Sequence, residues 1–425
     1  MKVLWLCNII LPEIAKDLGL DFSNEGGWLI GLSNDLKEYD NVELSICFPI
    51  YNQKNIIKGN VGGIEYYGFP QNIPNPTKYN PKIEKYFSHI IEDINPDIIH
   101  IFGTEYPHTL SMVNVCENLN CVEKVIINIQ GLCSIIEKHY FASLPAEIIN
   151  KNTFRDFLRR DNIKKQQLKF SKRGEFEIKA LKKVSNVIGR TNWDFACTKQ
   201  INSNIKYYKC NETLRSTFYG KSWSLESCEK HSIFVTQASY PIKGFHTLLE
   251  ALPIIKSEYP NVKVYIAGMK ILENNSFKSI VKSTTYSKYL KNLINEKNLS
   301  DNVVFTGPLN EEQICEQFLK ANVFASLSSI ENESNSISEA KILGVPVVAS
   351  YVGGVIDRIS HGVDGFLFQH DAPYMLAHHI MEVFRNNRLA ESISRKAKTN
   401  ADLLHNKKDN TNKILEIYKE LSNKD

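Results

Sequence analysis

The sequence lacks the features of several protein classes. None of its nine cysteines forms a CxxC pair, and no His/Cys cluster has the spacing of a zinc site. Scattered cysteines in odd number favour reduced thiols and a cytosolic protein over a disulfide framework. No apolar run approaches the roughly 20 residues that a membrane helix needs, and the opening residues carry no small-residue cleavage site. These absences argue against a secreted disulfide scaffold, a zinc module and an integral membrane protein.

The chain also has little net charge. A value of +4 over 425 residues is too small to indicate a nucleic-acid partner. The basic residues are concentrated, however: residues 151–183 hold twelve Lys/Arg and four Asp/Glu, a local balance of +8. Apolar side chains alternate with these charges at Phe154, Phe157, Leu168, Phe170 and Phe176. A solvated helix face is the usual explanation of such a run. The alternative is docking on an anionic membrane surface, where each nearby Lys or Arg contributes about 1 kcal/mol.

Short apolar runs alternate with longer amphipathic stretches, which predicts parallel sheets with crossover helices. The strand candidates are KVLWLCN, VELSICFP, DIIHIFG, KVIINIQG and NVIGRT in the first half, and IFVTQAS, VKVYIAG, NVVFTG, VFASLSS and VPVVAS in the second. The length fits two domains. We predict Rossmann-like domains over 1–215 and 216–400, with their parallel sheets facing across a cleft. Residues 401–425 should form a helix that packs back toward the first domain.

Ligands of open α/β sheets bind at the carboxyl ends of the strands. Several glycines and polar residues of both halves follow predicted strands, so a ligand is expected in the cleft between the domains. These residues are Gly26, Gly27, Gln130, Gly131, Arg190, Lys243, Gly268, Gly307 and the loop that begins at Glu331.

The stretch ENESNSISEAKILGVPVVAS places Glu331 in a loop and Glu339 in the helix that follows. Ser336 and Glu339 fit a capping box, which would explain Glu339 by local structure alone. The functional alternative uses the helix N-terminus as an anion site: a diphosphate would bind at Ser334, Asn335 and Ser336, while Glu331 and Glu339 would bind hydroxyl groups. Glu333 is interpreted as a solvated loop acid.

A second signal is Lys243-Gly244, which follows a strand and precedes an amphipathic helix. A lysine at a helix start opposes the helix dipole unless an anion is bound there. The simpler interpretation is a solvated surface lysine.

From Lys243-Gly244 through VYIAG and VVFTGPLNEEQ to SIENESNSISEAKILGVPVVAS, the chain resembles the retaining glycosyltransferases of family 4, which belong to the glycosyl transferases group 1 and have the GT-B fold. The resemblance covers most of residues 230–370 and extends weakly to the Gly26-Gly27 loop. It implies that Glu331 contacts the donor sugar, Glu339 contacts the ribose hydroxyls and Lys243 binds the diphosphate. The glycine pair would approach the phosphates and the transferred sugar.

The chain departs from the family pattern at two positions. Ala238 stands where an arginine is usual, five residues before the lysine, and Gln130 stands near the place of a frequent histidine. Arg190, at a predicted strand end, could supply the missing charge to the donor, or could form a structural salt bridge.

Other polar residues follow the strand DIIHIFG. Glu105 and His108, together with Gln130, could contact an acceptor, although ordinary loop polarity explains the first two equally well. The chain has no Asp-x-Asp triplet, so we expect neither a metal ion nor another cofactor beyond the nucleotide-sugar co-substrate.

These patterns predict a metal-independent hexosyltransferase. It would move a sugar from a nucleotide-diphosphate sugar to a glycan or lipid-linked acceptor, in surface polysaccharide synthesis at the cytoplasmic face of a membrane. One alternative is a non-catalytic partner of the same fold. A nicotinamide-dependent oxidoreductase is disfavoured because the first strand-to-helix turn contains no GxGxxG.

Overall fold

A computed structural model describes residues 1–20, 26–71, 76–268 and 283–423. The chain divides into two compact units. The first comprises residues 1–137, 169–215 and 405–425, and the second comprises residues 138–168 and 216–404. We had predicted domains over 1–215 and 216–400, which would place residues 138–168 in the N-terminal domain. In the structure these residues belong to the second unit.

The first unit is built on an eight-stranded sheet with the order β3-β4-β2-β1-β5-β6-β7-β8. All neighbours are parallel except β3 and β4, which pair antiparallel. The strands are β1 (Lys2–Leu6), β2 (Glu43–Ile50), β3 (Ile57–Val61), β4 (Ile64–Pro70), β5 (Ile98–Phe102), β6 (Val125–Asn128), β7 (Asn186–Gly189) and β8 (Lys206–Lys209). Most central strands are buried along nearly their whole length, as expected of a parallel sheet that is covered on both faces.

Helices cover both faces of this sheet and enclose two apolar clusters. They are α1 (Pro12–Asp17), α2 (Gly27–Lys37), α3 (Lys82–Ile94), α4 (His108–Asn118), α5 (Cys133–His139), α8 (Ile163–Leu181), α9 (Asn192–Ile201) and α16 (Lys407–Ser422). The ends of α5 and the start of α8 belong to the second unit. The C-terminal helix α16 packs on the sheet, where the hydroxyl of Tyr418 accepts a hydrogen bond from Trp5 Nε1 at 3.0 Å and lies 2.6 Å from His100 Nδ1.

The second unit has a six-stranded, fully parallel sheet with the order β11-β10-β9-β12-β13-β14. Its strands are β9 (Glu229–Val235), β10 (Lys263–Ala267), β11 (Val303–Gly307), β12 (Ala321–Ser326), β13 (Val347–Ser350) and β14 (Phe366–Phe368). Its helices are α6 (Ala146–Asn150), α7 (Phe154–Arg159), α10 (Phe245–Glu258), α11 (Thr285–Glu296), α12 (Glu311–Lys320), α13 (Asn335–Leu343), α14 (Pro373–Arg385) and α15 (Asn387–Leu404). Short 3-10 helices occur at Val122–Lys124, Ser216–Phe218, Pro241–Lys243 and Gly353–Asp357.

All ten predicted strands are present, and the predicted α/β class with two parallel-sheet units is confirmed. Four strands were not predicted: β3, β4, β8 and β14. Within the described ranges, no helix combines the length and the apolar character that crossing a bilayer requires.

Candidate functional site

The second unit has a pocket at the carboxyl edge of its sheet. Its walls come from the segments after β9 and β12, from the 3-10 helix Pro241–Lys243 and from the start of α13. The polar lining residues are Thr236, Gln237, Lys243, Ser326, Ser328, Glu331, Ser334 and Ser336. Strand order alone brings these residues together, because parallel strands end at the same edge.

An ion pair between Lys243 Nζ and Glu331 Oε1 lies in this pocket. Ser328 Oγ donates a second hydrogen bond to the same carboxylate oxygen at 2.8 Å. Burial lowers the pKa of Lys243, but the attraction of Glu331 outweighs it, so the pKa lies above its usual value. Lys243 is therefore a permanent cation at neutral pH. It is not the solvated surface lysine of the simpler interpretation.

Gly244 allows Lys243 to approach the end of β12. Its φ is +65°, and a Cβ atom added there would lie 1.9 Å from the carbonyl oxygen of Leu327. Only glycine fits both the left-handed backbone and this close contact. Gly244 thus permits the close approach of the backbone to Leu327, and Lys243 supplies a positive charge to the pocket.

The loop that carries Glu331 is held by residues that the sequence analysis did not select. The amide of Gly354 donates to the carbonyl oxygen of Glu331 at 3.0 Å, and a Cβ atom at Gly353 would lie 2.0 Å from that oxygen. Glu333, interpreted above as a solvated acid, is buried and pairs with Arg358 Nε at 2.9 Å, so that interpretation is wrong. The Gly353-Gly354 pair after β13 was the sequence signal for the contact with Glu331, since a glycine pair marks a place where two backbone segments approach closely.

Helix α13 directs its N-terminus at the pocket. Its N-cap is Ser334, and Asn335 and Ser336 are its first two residues. Ser336 Oγ accepts a hydrogen bond from Thr236 Oγ1 at 3.1 Å. The predicted capping box of Ser336 and Glu339 is wrong, because Ser336 is not the N-cap residue and Glu339 lies a turn farther into the helix, buried. Local capping therefore does not explain Glu339.

The remaining candidates of the second unit lie at neighbouring strand ends. Gly307 ends β11 and Gly268 follows β10, and the Gly268 amide donates to the Gly307 carbonyl oxygen at 3.0 Å. Neither residue is among those that line the pocket. Ala238, at the position of the usual arginine, is buried.

In the first unit, Arg190 is in a buried network. Its side chain is 1% exposed and pairs with Glu212, and its Nη2 donates to the carbonyl oxygen of Ile129 at 3.1 Å. Gln130 Nε2 donates to Glu212 Oε1 at 2.6 Å, so this candidate belongs to the same network. The charge of Arg190 is thus paired with that of Glu212. The structure shows the salt bridge that the sequence left open, and the donor contact of Arg190 stays a prediction.

Two further candidates of the first unit contact other residues of the same unit. Glu105 Oε1 accepts from the Gly131 amide at 3.1 Å, and burial raises the pKa of this carboxyl. His108 Nε2 lies 2.6 Å from Asn8 Oδ1, and burial lowers the pKa of His108 to about 3. His108 is therefore a neutral core histidine at physiological pH.

The glycine pair lies at the start of α2. Gly26 is its N-cap residue with φ +72°, and a Cβ atom at Gly27 would lie 2.2 Å from Arg215 Cγ. The backbone there is shaped by close packing within the first unit.

One group of potential metal ligands occurs among the described residues. His378, His379 and Glu382 lie together on α14, where Glu382 pairs with both imidazoles. None of the three lines the pocket of Lys243 and Glu331.

Comparisons with known proteins concern the segment that holds this pocket. Residues 221–400 match the family described as glycosyl transferases group 1. Over these residues the chain is similar to that family. The segment contains every pocket residue named above.

Curated relatives have related names. The uncharacterized glycosyltransferase MJ1607 of Methanocaldococcus jannaschii is 30% identical over 147 residues, which are 35% of this chain and 34% of that protein. The capsular polysaccharide biosynthesis glycosyltransferase CapM of Staphylococcus aureus is 28% identical over 151 residues, 36% of each protein. The matches thus span well under two thirds of these relatives.

Solved structures match the whole chain. Sucrose-phosphate synthase from Thermosynechococcus elongatus aligns with a TM-score of 0.70 at 15% identity, covering 99% of both chains. Anabaena Alr3699/HepE, solved in complex with UDP-glucose, aligns with a TM-score of 0.66 at 15% identity over 99% of this chain and 100% of that one. At such identities the likeness concerns the fold, which is GT-B.

Proposed function

We propose that this protein is a retaining glycosyltransferase that moves a hexose from a nucleotide-diphosphate sugar to a glycan or lipid-linked acceptor in surface polysaccharide synthesis. The observation that carries the proposal is the pairing of Lys243 with Glu331 in a pocket at the N-terminus of α13, inside the family-matching segment. UDP is the nucleotide to try first, because Alr3699/HepE was solved in complex with UDP-glucose.

The chemistry follows from the charges. A departing nucleoside diphosphate gains negative charge, which Lys243 and the positive end of the α13 dipole would stabilise without a metal ion. Glu331 would orient the sugar and stabilise positive charge at the anomeric carbon. Glu339, buried in α13, would accept hydrogen bonds from the ribose hydroxyls.

The test is a panel of nucleotide sugars assayed for hydrolysis and transfer in the presence of a chelator. Release of nucleoside diphosphate from one donor, with the anomeric configuration of the product followed by NMR, would support the proposal. Inversion would refute retention, and a metal requirement would refute metal independence. Binding of a nucleotide sugar without turnover on any acceptor would favour the non-catalytic alternative.

We also propose that residues 151–168 dock on an anionic membrane surface. Helix α7 has its apolar face outward: Phe154, Phe157 and Leu158 are 61%, 74% and 63% exposed. Positions i, i+3 and i+4 of a helix share one face. Exposed cations surround them at Lys151, Arg159, Arg160, Lys164 and Lys165.

The opposite side of α7 is anchored. Asp156 is buried, and its Oδ2 accepts hydrogen bonds from the amide and the Oγ1 of Thr285 at 2.9 and 2.6 Å. The exposed apolar face is therefore fixed by the fold. Its basic surroundings match an anionic lipid surface better than a neutral one.

Cosedimentation with phosphatidylglycerol vesicles tests this proposal. Binding should be strong at low salt, weaken above physiological ionic strength and fall in Phe157→Ser. Leu403→Ser is the matched control, since Leu403 is 73% exposed elsewhere in the same unit. Equal binding to neutral vesicles, or self-association that Phe157→Ser removes, would refute a lipid partner.

A further inference from the structure

A turn in the second unit has strained backbone. Ala142 and Ser143 are consecutive non-glycine residues with φ of +49° and +58°. The left-handed conformation costs about 1–2 kcal/mol for each such residue. Strain of this kind persists only where surrounding contacts enforce it, and it is concentrated at functional sites.

The contacts that enforce this turn come from α10 and from the segment after β14. His246 Nε2 lies 2.7 Å from the carbonyl oxygen of Ala142, and the other ring nitrogen lies 3.0 Å from the hydroxyl of Tyr286. Burial lowers the pKa of His246 to about 4, so this imidazole is neutral and donates to Ala142 through Nε2. Ser143 Oγ lies 3.3 Å from His370 Nε2.

The same turn is connected to the Lys243–Glu331 pocket. The carbonyl oxygen of His139 accepts a hydrogen bond from Ser329 Oγ at 2.9 Å. The amide of Ser329 donates to the carbonyl oxygen of Ile242, the residue before Lys243, also at 2.9 Å. Ser329 lies two positions before Glu331. The turn is therefore part of the frame that holds the pocket.

The turn also gathers basic groups. His139 and Ser143 are exposed, and His370 is half-buried. Burial lowers the pKa of His139, and the nearby His370 and Lys138 lower it further. Lys138 and His370 are both basic. A group of basic side chains attracts ligands of negative charge.

We propose that His139, Ser143 and His370 form a binding subsite for an anionic group, a phosphate or carboxylate, of a substrate other than the nucleoside diphosphate. The two imidazoles would supply N–H donors, and a bound anion would favour their protonated, positively charged form. The Ser143 hydroxyl would supply a neutral donor. The assignment of the anion to a glycosyl acceptor or to the transferred sugar rests on the proposed function. The anion binding itself does not.

The experiment follows histidine pKa values by NMR in the full-length protein, with inorganic phosphate in one arm and acetate in the other. All samples are matched in ionic strength with sodium chloride. The pKa of His139 and of His370 should each rise by about 0.5 unit or more in at least one arm. The arm that responds identifies the anion as phosphate-like or carboxylate-like. His378, exposed on α14, is the control and should not respond.

Three results would overturn the proposal. One is the absence of a response in both arms, and another is an equal response of His378. The third is loss of the response in Lys243→Gln, which would place the anion at the diphosphate position instead. His139→Gln should abolish the response of His370. Because the titration needs no turnover, its failure is distinguishable from failure of the glycosyltransferase proposal.

Discussion

Replacing Glu331 with glutamine should lower turnover without weakening nucleotide binding. The carboxylate neutralises Lys243 in the ligand-free protein, and a nucleoside diphosphate must compete with it. The side chains of Lys243 and Glu331 are 28% and 17% exposed, so solvent screening limits the pair to about 1 kcal/mol. In Glu331→Gln that competition disappears. The affinity for UDP should therefore hold or rise, by up to about fivefold.

Turnover should fall in the same variant. Glutamine can still accept a hydrogen bond from Ser328, but it brings no negative charge to a sugar that becomes positive at the anomeric carbon. The loss of one such electrostatic contact is on the order of 3 kcal/mol, or about a hundredfold in kcat.

Calorimetry with UDP and a transfer assay measure the two effects on one preparation. Glu391→Gln, which removes an exposed acid on α15, controls for the change in net charge. Weaker UDP binding with unchanged kcat would refute the reasoning, since it would make Glu331 a nucleotide ligand rather than a group that acts on the sugar.

Further predictions concern stability and binding elsewhere in the chain. Glu339→Gln should weaken UDP binding by about 1.5–3 kcal/mol with an unchanged melting temperature; calorimetry that finds unchanged affinity would exclude the ribose contact. Arg190→Met should cost about 3–5 kcal/mol in urea unfolding, because Glu212 stays buried without its cationic partner; a stable variant with selectively lost UDP binding would support the donor role instead. Gly244→Ala should cost more than about 2 kcal/mol and weaken UDP binding, since both its φ of +65° and the facing carbonyl oxygen resist a Cβ atom; wild-type values for both would contradict the geometry. Stability should also depend on pH, because the pKa of His246 is lowered to about 4 in the folded state. The neutral imidazole contributes its full share of the free energy of unfolding above about pH 6.5, and this share is lost as the pH falls toward 4. By pH 5 the loss should be about 2 kcal/mol. A smaller loss in His246→Asn than in the parent protein would confirm this source, and an identical pH profile would exclude it.

The strands of the central sheets were predictable because they are continuous apolar runs, and buried parallel strands have that composition. The β3–β4 hairpin was missed although it has a signal of its own. Gly62 and Gly63 lie between its two strands with φ of +56° and +81°, as a tight hairpin turn demands. Hydrophobic periodicity does not indicate this hairpin, because its sequence signal lies in the two turn residues.

The candidate site was predictable where one short segment carried it. The spacing of Glu331 and Glu339 and the Lys243-Gly244 pair are local patterns, and the structure places Lys243 and Glu331 in contact. Burial of Glu333 was not predictable, because its partner Arg358 lies beyond another helix and strand. The pairing of Arg190 with Glu212 is also a contact between separate segments, and the sequence left a salt bridge and a donor contact equally open for Arg190.

The path of the chain limits how this protein could be recombined with its relatives. The second unit takes residues 138–168 as well as 216–404. A fragment that starts at Ser216 would leave Thr285 without the carboxylate of Asp156 and His246 without the carbonyl oxygen of Ala142. A chimera that exchanges only the family-matching residues 221–400 would combine them with the 138–168 segment of a different protein. The contacting surfaces of the two parts would then not be complementary. Exchange of ligand specificity by domain grafting should therefore succeed only when the 138–168 segment is transferred along with the rest of its unit.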